Sequence, residues 1–430
     1  MSKKIGFWSV FALVTGSQIG SGVFSLPSSL APYGLYSVLG WFISGVGAIA
    51  LALVFSGLCA RFPQTGGPHV YVNKAFGSTL AFFTGWTYWV ISWVSTTVVV
   101  VASIGYLSPL LGAQTSEVYL LLEIILLTTI TALNLNGVKA AGRAEFFLTL
   151  LKVLPLLIIP IIALKGFNIN HFTLSAEISD WPCSRILSKV MLLTLWGFIG
   201  VETATTPAGS VINPRKTIPK AILGGTLCVA GLYIINSIGI VGIVPPSILK
   251  QSNAPYVEAA QIIFGGRWHL GVSIIASIVC IGTLNAWMLA SSQVALGLAE
   301  DKLLPSFFAR KNNKEAPYLG LLMSCAGIVS LLILTNHGTL SHQITLIIDF
   351  SVIAFLFVYL LCSLSYIRIL WVSQSGSLFS WVYAGVAIVF CLWIVYQTSL
   401  RTLGIASLFV VSGMPSYFLW FLPKRKKQLF

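Results

Sequence analysis

Charge is what this sequence has least of. Charged residues occupy 8% of its 430 positions, against roughly 25% in soluble domains. So little polar surface cannot cover a chain of mean hydropathy +0.91 in water, and a soluble globular protein is excluded. Only 11 residues are acidic, and Glu300-Asp301 is the one adjacent pair. A membrane enzyme acting on phosphorylated lipids needs paired carboxylates with a metal, or a His-rich loop. That alternative class is therefore poorly served, and the chain is read as a non-enzyme. The five histidines (69, 171, 269, 337, 342) lack ligand spacing, so neither a metal nor a cofactor is called for. Among the seven cysteines there is no CxxC, and only Cys183 sits in a polar loop; a disulfide framework is not expected. The absence of a P-loop argues against ATP-driven pumping.

What the sequence has is apolar residues in blocks of the length a helix needs to cross about 30 Å of hydrocarbon. Short alternating segments of the kind that build barrels do not occur. The blocks predict an all-α integral membrane protein of twelve transmembrane helices, near 7–30, 36–60, 79–107, 118–136, 146–164, 186–210, 221–245, 268–296, 318–336, 345–370, 380–398 and 402–422. The apolar stretch 254–264 is too brief to span and is left to the interface or to re-entry. The first block follows Met-Ser-Lys-Lys without a small-residue cleavage site, and reads as a spanning helix instead of a signal peptide.

Positive charge is distributed unevenly over the loops. With these spans, 18 of the 25 Lys and Arg residues fall on one side, including the Lys424–Lys427 run. Translocation disfavours basic loops, so both termini are expected in the cytoplasm and the protein in the cytoplasmic (inner) membrane. The basic tail then contacts anionic lipid, and the net charge of +14 no longer suggests nucleic acid.

Two spans are interrupted alike. The first reads Gly16-Ser-Gln-Ile-Gly-Ser-Gly-Val-Phe-Ser-Leu-Pro27 and the sixth Trp196-Gly-Phe-Ile-Gly-Val-Glu-Thr-Ala-Thr-Thr-Pro207. Aligning Ile19-Gly20 with Ile199-Gly200 puts Pro27 on Pro207, both at an offset of 180 residues. Glycine and proline cost about 1 and 3 kcal/mol in a helix relative to alanine. Small residues can also serve close helix packing alone. Matched breaks in corresponding halves, however, point to an inverted-repeat carrier with its site at the bilayer midplane. Gly20, Gly22, Pro27, Gly200 and Pro207 are the expected break positions. Spans 1–5 (about 7–164) and 6–10 (about 186–370) would form a transport core over 1–370, with peripheral helices 11–12 and the tail in 371–430. Amides around Ser21, Gly22 and Val23 would head a half-helix suited to a carboxylate. Carbonyls around Ile19 and Trp196–Ile199 would suit an ammonium group. Both ends together fit an α-amino acid.

These residues carry a resemblance. Gly20-Ser21-Gly22-Val23-Phe24 with Pro27, the run Trp196 to Glu202, Pro63 with Gly66-Gly67, Asn213-Pro214-Arg215 with Ile218-Pro219, and Asp301 with Leu304-Pro305 resemble the amino acid–polyamine–organocation superfamily. The nearest likeness is to its basic amino acid/polyamine antiporters. The resemblance implies a twelve-helix LeuT-type fold of two inverted five-helix repeats with discontinuous helices 1 and 6, a homodimer, and alternating access. It further implies that Ser21 and Gly22 bind the substrate carboxylate and that carbonyls of Ile19, Trp196 and Ile199 bind its amino group. By the same likeness Trp196 and Trp287 stack on or gate the substrate, Tyr88 serves a gate, and Glu202 links to protonation. Arginine-exchanging members hold the distal end of the substrate with an asparagine where this chain has Thr96. Ser351 is kept, but Asp349 stands two residues earlier.

Charges at membrane depth are costly and so carry meaning. Glu202 can titrate during transport or cap freed amides. Lys152 lies in the fifth span, near the position where sodium-coupled relatives hold a cation; its ammonium can replace sodium or carry a proton, or snorkel to the interface. Secondary transport of a basic amino acid or polyamine follows, by exchange or proton-linked uptake, with proton-coupled symport of neutral amino acids as the alternative.

Overall fold

A computed structural model of the chain describes residues 4–112, 114–252, 255–266, 268–335 and 340–421. Among these residues all regular elements are helical, and ten helices are long and apolar enough to cross a membrane. In chain order the main helices are α1 (Phe7–Gln18), α2 (Ser21–Leu30), α3 (Leu35–Arg61), α4 (Pro68–Phe76), α5 (Ser78–Gly105), α6 (Ser116–Leu135), α7 (Val138–Ala163) and α8 (Cys183–Trp196). There follow α9 (Pro214–Ile243), α10 (Pro255–Phe264), α11 (Trp268–Glu300), α12 (Tyr318–Thr335), α13 (Leu340–Ser373), α14 (Leu378–Gln397) and α15 (Leu400–Val411), the last continued by turns to Phe421. The ten long helices leave out the short α4 and α10 and also α1, α2 and α8. At 1.5 Å per residue a helix of 12 residues reaches only about 18 Å, so an interrupted segment fails a length test that its neighbours pass.

Three sequence expectations are corrected here. Pro27 does not break a helix: it lies inside α2, which runs on to Leu30. The sixth segment is α-helical only to Trp196, and beyond Gly200 it continues as single 3₁₀ turns at Thr203–Thr205 and Ala208–Ser210, with Pro207 between them. The fifth helix starts at Val138, not near 146, because Gly137 at φ 95° turns the chain directly into it. The charged residues 139–145 therefore belong to α7. The stretch before α11 is the ten-residue helix α10, too short to span, with Tyr256, Ala259 and Ala260 buried.

α7 shows how lipid inverts the usual helix pattern. Glu145, Thr149, Lys152 and Leu156 are buried, while Phe147, Leu150, Leu151, Leu154, Ile158 and Ile161 are exposed. The polar stripe faces the bundle and the apolar stripe faces outward, as expected where the surroundings are hydrocarbon. Small residues bring neighbours together: a Cβ at Gly40 of α3 would collide with Val190 of α8. Close approach of this kind drives association in membranes, where lipid removes the hydrophobic incentive.

Candidate functional site

α1 ends at Gln18, Ile19 and Gly20 are extended, and α2 begins at Ser21. A helix end leaves its last carbonyls without intrahelical partners, and in a membrane interior each must be satisfied by protein. Here other helices supply the donors. The Gly16 carbonyl accepts from Lys152 Nζ at 2.8 Å, with Thr283 Oγ1 3.1 Å away. The Ser17 carbonyl accepts from Trp287 Nε1 at 3.3 Å, and that of Gln18 from the Tyr233 hydroxyl at 2.7 Å. The Ile19 carbonyl accepts from Thr283 Oγ1 at 2.7 Å, so one of its two lone pairs is already engaged.

The second break lies against the first. Gly200 has φ 112°, a backbone region that favours glycine, and a Cβ there would sit 2.6 Å from Ser17 Oγ. Ser17 Oγ donates to the Gly200 carbonyl at 3.1 Å and lies 2.8 Å from Thr203 Oγ1. Residues 183 apart in the chain thus join the two interruptions directly.

Between the breaks is a cavity of about 30 Å³, lined among others by Gln18, Gly20, Gly22, Trp196, Ile199 and Trp287. At roughly 10–15 Å³ per water it admits a few waters and no amino acid. Gly22 is in contact with Trp196, whose Cδ1 would lie 2.8 Å from an added Cβ. Ser95, Val99, Ser17, Gly197 and Thr283 complete the lining. Thr96 is not part of it: its hydroxyl turns back to the Ser92 carbonyl at 2.6 Å, and Ser95 and Val99 take the place expected for it. Ser351 is buried with its hydroxyl unpartnered among the described residues and is likewise not in the lining. The side chains of Ser21 and Asp349 lie outside the described residues; the backbone of Ser21 opens α2.

Glu202, two residues past Gly200, is fully buried. Its Oε2 accepts from the Tyr359 hydroxyl at 2.5 Å, and that hydroxyl accepts from the Gly200 amide at 3.2 Å. Tyr88 packs its ring near Trp287 and Phe355, at centroid distances of 6.4 and 5.9 Å. Tyr359 escaped the sequence reading because nothing local marks a tyrosine 157 residues away as the partner of a carboxyl. Replacing it with Phe leaves Glu202 and the Gly200 amide buried without that hydroxyl. A cost of about 1–3 kcal/mol is expected, read as a lower melting temperature with unchanged membrane insertion.

Lys152 does not snorkel. It is fully buried, 3.4 Å from Glu145 Oε1 and 3.3 Å from Thr283 Oγ1 in addition to the Gly16 carbonyl. Glu145 is equally buried, although it precedes the span expected near 146–164, because nothing local marks residues 139–145 as helical.

On the side of the bundle where the chain starts, the second break is sealed by backbone. The Ile5 amide donates to the Ser210 carbonyl at 2.9 Å, and the Gly66 amide to the Thr206 carbonyl at 2.9 Å. His69 Nε2, on buried α4, lies 3.2 Å from Asp301 Oδ2 at the end of α11.

The amino acid permease family model matches residues 5–422. The chain is 32% identical over 365 residues to the putrescine transporter PotE of Haemophilus influenzae, covering 84% of this chain and 83% of that protein. It is 29% identical over 337 residues to the cadaverine/lysine antiporter of Escherichia coli K12, covering 77% and 75%. Against a putative arginine/ornithine antiporter of Bacillus subtilis the identity is 31% over 355 residues, 75% of each.

Proposed function

The chain belongs to the amino acid permease family, and on that premise we propose that it exchanges a basic amino acid or a diamine across the cytoplasmic membrane. The observation that carries this reading is the cavity bounded by both helix breaks. Gly20 and Gly22 line it at the start of α2, and in this reading the partial positive charge of that helix N-terminus would receive a carboxylate. In this reading the free lone pair of the Ile19 carbonyl, beside the lining, and the backbone at Trp196–Ile199 would take an ammonium. Gln18 Oε1, buried and without a hydrogen-bond partner among the described residues, adds an acceptor for a second amine. Relatives named for putrescine, cadaverine and lysine support a cationic substrate over a neutral one.

In this reading the two interrupted segments and the ten long helices are twelve spans. They form two inverted five-helix repeats followed by two peripheral helices, with both termini in the cytoplasm. Trp196 and Trp287 are the movable walls of the site. Glu202, held by Tyr359, is a candidate for proton linkage. Lys152 stands where a coupling cation would otherwise hold the first helix.

Proteoliposomes loaded with unlabelled substrate test the proposal. Counterflow of labelled lysine, ornithine, arginine, putrescine or cadaverine is expected, with little for leucine or serine. Preference for a neutral amino acid would overturn the substrate class and leave the site's location standing. Uptake that needs no internal substrate would overturn exchange.

A further inference from the structure

We infer that Glu145 is the positioning residue of Lys152: it locks the ammonium in place and in charge, so that Lys152 acts as a fixed internal cation and not as a proton carrier. The inference rests on the transport reading only for its kinetic arm.

The geometry around Glu145 is complete on every side. Oε1 lies 3.4 Å from Lys152 Nζ and accepts from Thr149 Oγ1 at 3.3 Å. Oε2 accepts from Asn285 Nδ2 at 2.8 Å. Asn285 is itself fixed, donating to the Ala141 carbonyl at 3.1 Å and accepting from Asn134 Nδ2 at 3.0 Å. A side chain at Gly16 would collide with the carboxyl, so Glu145 lies directly against the end of α1 whose carbonyl Lys152 holds.

One ammonium and one carboxylate, both fully buried, make a site of zero net charge, which is the form a low-dielectric interior tolerates. The Cys280 thiol of α11 also lies near Lys152. The remaining neighbours on α1, α6 and α11 are neutral: Gly16, Asn134, Thr283 and Asn285. From α9, Asn236 meets α7 at the Leu156 carbonyl, with the Tyr256 hydroxyl of α10 behind it. If Lys152 loses Gly16 when the first helix moves, the Glu145 carboxylate still compensates its ammonium, so no proton needs to enter or leave the protein.

Glu145→Gln removes the counter-charge and keeps the shape. The lone amine can then stay uncharged only by giving its proton to bulk, so its state follows pH. Exchange of labelled putrescine against internal putrescine, or lysine against lysine, is measured for variant and unmodified protein from about pH 6 to about pH 9. The ratio of variant to unmodified rate is expected to fall about tenfold across that range, while for Glu145→Gln/Lys152→Met it stays constant. A constant ratio for the single variant would reduce Glu145 to scaffold and overturn the inference. The same pH dependence in the double variant would place its origin elsewhere and overturn it too. Melting temperatures of the purified proteins give the same contrast without transport: the single variant's difference from the unmodified protein should change with pH, and the double variant's should not. If neither substrate exchanges in the unmodified protein, the transport reading fails, and the melting series still decides on Glu145.

Discussion

Gly22→Leu should abolish transport while leaving a folded, membrane-inserted protein. Gly22 is the second residue of α2, and its Cα faces the Trp196 indole so closely that even a Cβ would sit 2.8 Å from Cδ1. A leucine there places a further three carbons in a cavity of about 30 Å³, leaving no room for a carboxylate to reach the α2 amides. Leucine is at the same time a strong helix former and apolar, so neither α2 nor insertion should suffer. Counterflow is expected to drop by two orders of magnitude or more, a loss of at least about 2.7 kcal/mol, with an unchanged elution profile in detergent. Gly22→Ala should give a smaller loss, since Trp196 need shift only slightly. Normal counterflow by the leucine variant would put the substrate site elsewhere.

Lys152→Met should be the most destabilising single substitution in the bundle. It removes the charge that compensates Glu145, and it strips the Gly16 carbonyl of its 2.8 Å donor, leaving Thr283. Breaking a buried ion pair from one side costs about 3–5 kcal/mol, because the surviving charge keeps its desolvation penalty. The expected result is a large fall in melting temperature, most of it recovered when Glu145→Gln is added. Equal melting temperatures for the single and double variants would mean that the two side chains are not coupled.

How much of this the sequence discloses depends on whether the signal is local. The first break could be read because glycines cluster at one point, and the structure ends α1 and starts α2 at the expected residues. Lys152 could be read because a charge in an apolar run stands out. Glu145 could not: three charges in the seven residues before Phe146 look like a loop, and only the turn at Gly137 shows that they are helical. Pro27 misled because a proline inside a helix removes one backbone bond, here that to the Val23 carbonyl, and α2 nevertheless runs on to Leu30. Thr96 misled for a different reason. Sequence spacing fixes which residues share a helix face, but the rotation of that face towards the cavity is set by packing, and one position amounts to about 100°. Thr283, Tyr233 and Tyr359 left no trace at all, since side chains that cap a distant backbone follow no period.

The capping of α1 has a dynamic consequence. Its four terminal carbonyls are held by side chains from α7, α9 and α11, one donor to each. Any tilt of the first helix large enough to open the cavity must release these bonds as a group, because stretching one displaces the others. A partly tilted helix would leave bare carbonyls in hydrocarbon without the hydration of an open pathway. Such intermediates are high in energy, so the carrier should switch between discrete states instead of bending gradually, and its helix break works as a cooperative latch.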